Sequence, residues 1–203
     1  MRIRTILILF AALTLQPGSN ASVQDNSALR QEEYAAYSAL LNQKFIKASM
    51  KLIVIQEQTQ TYIYNHQSQN EHATYVIEQL SPLFPSTLKD FLTKNTELSK
   101  LSGQFNLRIP YLILAKTRIE ESFKSATAGI DSLNSAWQEF YKKHPDSSGY
   151  IVLSRVGFDA EMKQAMVYVA DYCGGLCAEG RYVLMTKDQN SWKIDKELHL
   201  WIA

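Results

Sequence analysis

The sequence has little excess charge of either sign. Its 21 lysines and arginines nearly balance its 20 aspartates and glutamates, and charged residues make up 20% of the 203 positions. Acidic and basic residues alternate near the C-terminus, as in the run from Lys193 to Glu197, and no basic block occurs. Because nucleic-acid-binding proteins typically carry a basic patch or stripe, the sequence predicts no nucleic-acid partner.

The sequence also lacks the short motifs of common cofactor and metal sites. It contains no phosphate-binding G-x-x-x-x-G-K-[ST] loop, no G-x-G-x-x-G turn and no H-E-x-x-H pair. These motifs place backbone N–H groups on phosphates or imidazoles on a metal ion. We therefore expect no cofactor and no metal site.

Cysteine, proline and glycine are all scarce, with 2, 5 and 8 residues respectively. These numbers exclude a disulfide-rich scaffold and a low-complexity chain. The chain is 46% hydrophobic, which is enough to bury one core at this length. We expect one domain over residues 29–203.

The only long hydrophobic run lies at the N-terminus. Arg2 and Arg4 precede an apolar stretch over residues 6–15, and Ser19-Asn20-Ala21 offers small residues to a signal peptidase. This order is typical of a secretory signal peptide, and the run is shorter than the roughly 20 residues that span a bilayer. An uncleaved membrane anchor is the alternative.

We therefore expect cleavage after Ala21 and an exported mature chain, periplasmic or extracellular, with no further membrane contact. Loss of two arginines changes the net charge of +1 to −1. Residues 22–28 are polar and predict a flexible leader.

Helical spacing dominates the first half of the chain. Apolar residues from Tyr34 to Ala48 recur every three or four positions, which predicts one buried helical face. Residues 52–55 are β-branched and predict a strand, whereas residues 56–70 fit no single pattern. Residues 111–115 fit either a strand or the start of a helix. Trp137 lies on the apolar face of a further helix, which Pro145 should end.

The periodicity changes after Gly149, and the last segment, residues 192–202, alternates clearly with a period of two. Four segments predict strands, and the short polar loops between them favour antiparallel neighbours. We therefore predict an α+β fold, in which a helical N-terminal half precedes a C-terminal antiparallel meander packed on the Trp137 helix. The predicted strands are residues 150–158, 164–172, 181–186 and 192–202.

The two cysteines lie close together in Cys173-Gly174-Gly175-Leu176-Cys177, between two predicted strands. In an oxidising compartment, two cysteines across a glycine-rich turn are expected to form a disulfide. A metal site, free thiols or a redox pair are the alternatives, although redox pairs usually have two intervening residues and this pair has three.

Three polar residues are candidates for a site. Arg155 interrupts an apolar strand and is interpreted either as a surface residue or as a half-buried partner of a carboxylate. Asp171 and Glu179 flank the cysteine loop and could face each other across it. Solvated loop charge is the simpler interpretation of these two carboxylates.

The residue types of a hydrolase triad are present, but the sequence pattern of a hydrolase is not. Ser154 and Asp171 could combine with a histidine, but Ser154 lies within a predicted strand and no G-x-S-x-G turn is present. Glu120 and Glu121 are adjacent and would diverge on a helix, so they make a poor acid–base pair. The histidines available are His66, His72, His144 and His199.

The last third of the chain resembles a group of uncharacterised exported bacterial proteins. The resemblance implies an exported domain with this meander and implies no activity. It is carried by Trp137-Gln138-Glu139-Phe140-Tyr141, Leu153-Ser154-Arg155-Val156-Gly157-Phe158, Ala165-Met166-Val167-Tyr168-Val169, the cysteine loop and Trp201-Ile202.

Without a catalytic constellation, the sequence favours a non-catalytic exported domain that binds a protein partner or a small ligand. The predicted sheet offers aromatic surface through Tyr168, Tyr172, Tyr182 and Trp201. The alternative is an exported enzyme, a hydrolase, with its polar groups on a curled sheet. A deep pocket that combines Arg155, a carboxylate and a histidine would favour the enzyme.

Overall fold

The structure is a computed structural model and describes residues 21–61, 69–124 and 129–203. Most of the predicted signal peptide, part of the 56–70 segment and His66 lie outside these ranges. Within them, no helix is both long enough and apolar enough to cross a bilayer. The α-helices of the described residues are α1 (Ala21–Leu40), α2 (Gln69–Gln79), α3 (Pro85–Lys94), α4 (Lys116–Phe123) and α5 (Ile130–Lys143), and a π-helical turn (Leu41–Phe45) continues α1.

Within the described ranges, seven strands form one mixed sheet. Its main path runs β2-β1-β3-β5-β6-β7, and β4 pairs with β5 beside that path. The strands are β1 (Leu52–Gln56), β2 (Tyr111–Leu114), β3 (Ser147–Leu153), β4 (Gly157–Phe158), β5 (Gln164–Gly174), β6 (Cys177–Asp188) and β7 (Ser191–Ile202).

The predicted α+β class is wrong, and the fold is a mixed α/β fold. Strand β1 lies between β2 and β3 and is parallel to both, whereas β3, β5, β6 and β7 pair antiparallel. The C-terminal meander is therefore present, but it continues into a parallel part built by the N-terminal half. Helices α2 and α3 connect β1 to β2, and α4 and α5 connect β2 to β3. Connections of this length let a chain return parallel to its neighbour.

Two further segments differ from expectation. Residues 22–28, predicted as a flexible leader, belong to α1, which begins at Ala21. The predicted strand over 150–158 is two strands, since Ser154, Arg155 and Val156 leave the ladder between β3 and β4. Of the two alternatives predicted for residues 111–115, the strand is correct, because Tyr111 to Leu114 pair with Ile53 to Gln56.

Helix α1 covers one face of the sheet. Tyr37, Leu40 and Leu41 are at most 1% exposed and pack with apolar residues of the central strands. The predicted spacing of this helix is confirmed from Tyr34 to Phe45, whereas Ala48 is exposed. The sheet residues beneath it include Ile53, Ile55, Leu153, Val167, Val169, Val183 and Met185.

Helices α2, α3 and α5 cover the opposite face. Phe91 of α3 packs on Met166 and Tyr182, and Trp137 of α5 packs on Val54 of β1. Because both faces are covered, Gln164 to Ala170 of β5 are buried without interruption. A strand that is buried on both faces reads as a continuous apolar run, and residues 165–170 form such a run. The sequence therefore contained a signal for a second layer of helices, which the prediction of a meander packed on one helix did not use.

Candidate functional site

A groove of about 530 Å³ lies between α4, α5 and the end of the sheet where β3, β5, β6 and β7 meet. This volume falls within the usual range for small-molecule sites. Aromatic rings from both helices and from three strands supply most of its walls. We call it the aromatic groove, defined by Phe123, Trp137, Tyr150, Tyr172 and Trp201.

The rings of the groove stack on one another. Tyr150 and Tyr172 are directly opposite across β3 and β5, with ring centroids 4.8 Å apart and planes inclined by 10°. Trp137 is nearly parallel to Tyr150 at 5.9 Å and 17°, and Trp201 lies 5.7 Å from Tyr172. Each ring limits the rotation of its neighbour, so the aromatic wall is pre-organised.

Local structure explains why these side chains converge. Tyr150 and Tyr172 form a cross-strand pair on the face that α5 covers, and such pairs stand side by side above the sheet. Leu133, Trp137 and Tyr141 recur every four residues, which aligns them on the face of α5 toward the sheet. The groove thus forms where side chains spaced by four residues on α5 pack against the cross-strand tyrosine pair of β3 and β5.

The hydroxyl groups of Tyr150 and Tyr172 supply the groove with polar atoms that carry no charge. Burial raises the pKa of Tyr150, with smaller contributions from Tyr172 and Glu120, and burial also raises the pKa of Tyr172. Both phenols therefore remain neutral near neutral pH. In the described part of the chain, no hydrogen bond engages either hydroxyl, so both can donate to or accept from a ligand.

One ion pair lies at the rim of the groove. Lys116 Nζ is 3.7 Å from Glu120 Oε1 on α4, and both side chains are about half exposed. The pair adds no net charge to the groove. The amides of Gln56, the last residue of β1, and of Gln60, four residues later, also line the groove.

The predicted cysteine loop closes one end of the groove. Cys173 and Cys177 form a disulfide with their Cα atoms 5.0 Å apart at the tip of the β5–β6 hairpin. Gly175 rests on α5, where an added β-carbon would lie 2.7 Å from Asn134 Oδ1 and 2.9 Å from Ile130 Cδ1. The disulfide and the glycine together hold the tip against the start of α5.

Asp171 and Glu179 face each other across β5 and β6, as the sequence allowed, but they bind a residue that the sequence did not single out. Arg181 is 2% exposed and forms ion pairs with Glu179, with Asp171 at 3.0 Å and with Glu197 at 3.1 Å. Lys44 approaches Glu197 to 2.8 Å from the other side. The two predicted carboxylates are therefore parts of an ionic network and not solvated loop charge.

Arg155 belongs to a different cluster. Its guanidinium donates two hydrogen bonds to Glu33 of α1, at 2.8 and 3.0 Å, and its side chain is 29% exposed. The half-buried paired arginine is thus the correct alternative. Glu33 and Lys44 are eleven residues apart along α1 and its π-turn, which separates the clusters by about 16 Å at 1.5 Å per residue. Arg155, Asp171 and Glu179 do not form one site.

Ser154, Asp171 and His199, considered above as members of a hydrolase triad, each contact other residues. The Ser154 hydroxyl is fully buried, donates to Arg155 O at 2.9 Å and accepts from Tyr168 N at 2.8 Å. Asp171 is bound to Arg181, and His199 approaches Glu179 at 3.2 Å. Glu120 and Glu121 pair separately with neighbours on α4, which confirms that they diverge.

Of the aromatic surface predicted from the sequence, Tyr172 and Trp201 line the groove, whereas Tyr168 and Tyr182 are at most 1% exposed and do not line it. The sequence did not identify Phe123 or Tyr150 as site residues. Tyr150 and Val152 are two residues apart in a predicted strand and therefore share a face, which could have placed Tyr150 at the site. Phe123 reaches the groove through the packing of α4 on α5, which no local sequence pattern shows.

No protein-family model, no curated protein and no solved structure matches this chain. The resemblance of its last third to uncharacterised exported proteins stays a prediction. The functional interpretation of the groove therefore rests on the geometry of its own residues.

Proposed function

We propose that the protein is an exported, non-catalytic binding protein whose aromatic groove takes a small, uncharged ligand with a flat apolar face. The observation that carries the proposal is the stacked wall of Trp137, Tyr150 and Tyr172, which faces an open volume of about 530 Å³. Aromatic rings fixed in advance bind apolar surface with little loss of side-chain entropy.

The polar groups of the groove support an uncharged ligand. Its two free phenols are neutral, and Lys116 and Glu120, the charged side chains among the described residues that line it, form a self-compensating pair at the rim. An ionised ligand would lose hydration without gaining a partner of opposite charge. A neutral ligand with one or two hydroxyl, carbonyl or amide groups could bond to Tyr150 and Tyr172.

Export is supported by two coarser observations. The only two cysteines are joined in a disulfide, which persists in oxidising compartments, and no described helix could cross a bilayer. Both are compatible with the signal peptide predicted from residues 1–21. Binding outside the cytoplasm is the function that these features support.

The experiment uses N-phenyl-1-naphthylamine, a neutral aromatic probe whose fluorescence rises in apolar surroundings. Trp137 and Trp201 line the groove, so we expect saturable probe fluorescence with energy transfer from tryptophan. Ala178→Phe places a ring into the groove from β6 and should abolish binding. Ala35→Phe introduces the same ring on an exposed position of α1 and should leave binding unchanged.

The two variants must first show the wild-type circular dichroism spectrum. Saturable binding that Ala178→Phe removes and Ala35→Phe retains supports the proposal. Binding of equal strength in folded Ala178→Phe would place the probe elsewhere and reject the groove as the site.

A further inference from the structure

A second cleft, of about 810 Å³, lies on the opposite side of the molecule, along the outer side of α1. Its walls are the loop before β2 and the β6–β7 turn. We call it the amide cleft, because six carboxamide side chains line it, those of Gln31, Asn42, Gln43, Gln104, Asn106 and Asn190.

Hydrogen bonds from α1 fix the first wall of the cleft. Tyr34, Ser38 and Asn42 follow one another at intervals of four and share one side of the helix. The Tyr34 hydroxyl accepts from Ser102 N, Ser38 Oγ accepts from Asn106 N at 2.9 Å, and Asn42 Nδ2 donates to Asn106 O at 2.9 Å. The loop backbone is thus attached to three successive turns of α1.

Gln43 fixes the second wall. Its Nε2 donates to Trp192 O at 2.8 Å, and its Oε1 accepts from Ile194 N at 3.3 Å, so the start of β7 is bonded to the end of α1. Two of the six carboxamides therefore hold the walls apart at a fixed separation. The cleft is formed before any ligand arrives.

The other four carboxamides have no structural task. Gln31, Gln104, Asn106 and Asn190 are exposed, and no hydrogen bond within the described residues engages their side chains. Each carries two N–H donors and one carbonyl acceptor with two lone pairs. Trp192, which also lines the cleft, is 3% exposed, and its indole nitrogen has no partner in the described part of the chain.

The described residues that line the cleft carry no charge. Among the described residues that line it, none is an aspartate, glutamate, lysine or arginine, in a chain of which 20% is charged. A ligand with an ionised group would find no counter-charge there. A ligand with many hydroxyls would meet donors and acceptors in pairs, since each hydroxyl can both donate and accept.

From these features we infer that the amide cleft is a second binding site, specific for a neutral saccharide. Adjacent hydroxyls of a sugar ring present donor and acceptor together, which matches the amide head group of a free glutamine or asparagine. This site is separate from the aromatic groove and does not depend on the function proposed for it.

The test observes the carboxamides directly, through the side-chain NH₂ signals in ¹H–¹⁵N correlation spectra. Maltotriose and triacetylchitotriose are the neutral probes, at concentrations up to about 10 mM, which is tenfold above a millimolar Kd. We expect saturable shifts of the NH₂ signals of Gln31, Gln104, Asn106 and Asn190 with at least one probe. The signal of Asn134, which lies on α5 outside the cleft, should not move.

Two matched variants locate the binding. Ala35→Phe introduces a ring at the edge of the amide cleft and should reduce the affinity at least about tenfold, whereas Ala178→Phe, which fills the aromatic groove, should not change it. Galacturonic acid trimer, which is anionic, and deacetylated chitotriose, which is cationic, should bind at least about tenfold more weakly than the neutral probes.

The inference is overturned if neither neutral trisaccharide gives saturable shifts, if the shifts persist in folded Ala35→Phe, or if charged trisaccharides bind equally well. Equal binding of N-acetyl-triglycine amide, a neutral peptide, would also overturn it, because the cleft would then recognise amides and not hydroxyls. These results do not depend on whether N-phenyl-1-naphthylamine binds in the aromatic groove, so failure of that proposal and failure of this one can be distinguished.

Discussion

Trp201 occupies the space that a β-carbon on Gly180 would fill. The two residues are paired across β6 and β7, and a methyl group added to Gly180 would overlap the indole ring and also lie 2.7 Å from Tyr168 Oη. The indole Nε1 donates to Tyr168 Oη at 3.1 Å. A glycine that weakens the strand is thus covered by an aromatic ring, and this contact places Trp201 in the aromatic groove.

Gly180→Ala should displace the indole and break its hydrogen bond. We expect a loss of about 1–3 kcal/mol in the free energy of unfolding, as for an overpacked site, and a change in tryptophan fluorescence. Gly103→Ala is the control, since its β-carbon would meet only the Tyr111 side chain at 3.4 Å. Equal effects of the two substitutions in urea denaturation would show that Gly180 does not support the ring.

Trp137→Ala tests the core role of a residue that also lines the groove. The side chain is 6% exposed and contacts Phe123, Phe140 and Tyr150. Truncation should therefore lower the free energy of unfolding by about 3–5 kcal/mol. Leu98→Ala, at a 51% exposed position, should cost less than about 0.5 kcal/mol. A loss below about 1 kcal/mol for Trp137→Ala would contradict the packing.

Glu197→Gln tests the ionic network around Arg181 through its pH dependence. Burial raises the pKa of Glu197, but hydrogen bonds from Lys44 and Arg181 outweigh it and hold the pKa below its ordinary value of 4.5. A lowered folded-state pKa stabilises the protein above the unfolded-state pKa, and that contribution is lost as the pH falls through the folded-state pKa.

The expected cost of Glu197→Gln is therefore about 1–3 kcal/mol near neutral pH, as for a lost hydrogen bond to a charged group. The difference from wild type should shrink steadily as the pH falls below about 4.5. Glu97→Gln, on an exposed loop, should cost almost nothing at any pH. A cost for Glu197→Gln that stays constant down to acid pH would refute the role of its charge.

The double variant Cys173→Ser, Cys177→Ser should still fold. The disulfide closes a very short loop, so its removal should cost on the order of 1–3 kcal/mol on the chain-entropy model. Thiol titration of the denatured, unreduced wild-type protein should detect no free thiol. Two free thiols in material from its native compartment would instead favour the metal or redox alternatives.

Signal peptidase should cleave the precursor after Ala21. The positive start, the short apolar run over residues 6–15 and the small residues at 19 and 21 motivate this expectation. Intact-mass spectrometry of exported material should give a chain that begins at Ser22. A membrane-bound product that retains Met1 would establish the anchor alternative.

The sequence by itself determined the local features of the protein. Alternation at period two identified β7, apolar runs joined by short polar loops identified the antiparallel neighbours β5 and β6, and spacing of three and four identified the buried side of α1. Two cysteines across a glycine pair predicted the disulfide at the hairpin tip. Each of these patterns is set by residues within about a dozen positions of one another, where backbone geometry fixes which side chains share a face.

Only the tertiary structure decided the sheet order and the sites. The parallel pairing of β1 with β2 and β3 joins segments that are about sixty and about ninety-five residues apart, so no local period could show it. The same holds for Glu33 with Arg155 and for the meeting of Trp137 with Tyr150 and Tyr172. Local periodicity states which face a side chain occupies, but what that face meets depends on the packing of the whole chain.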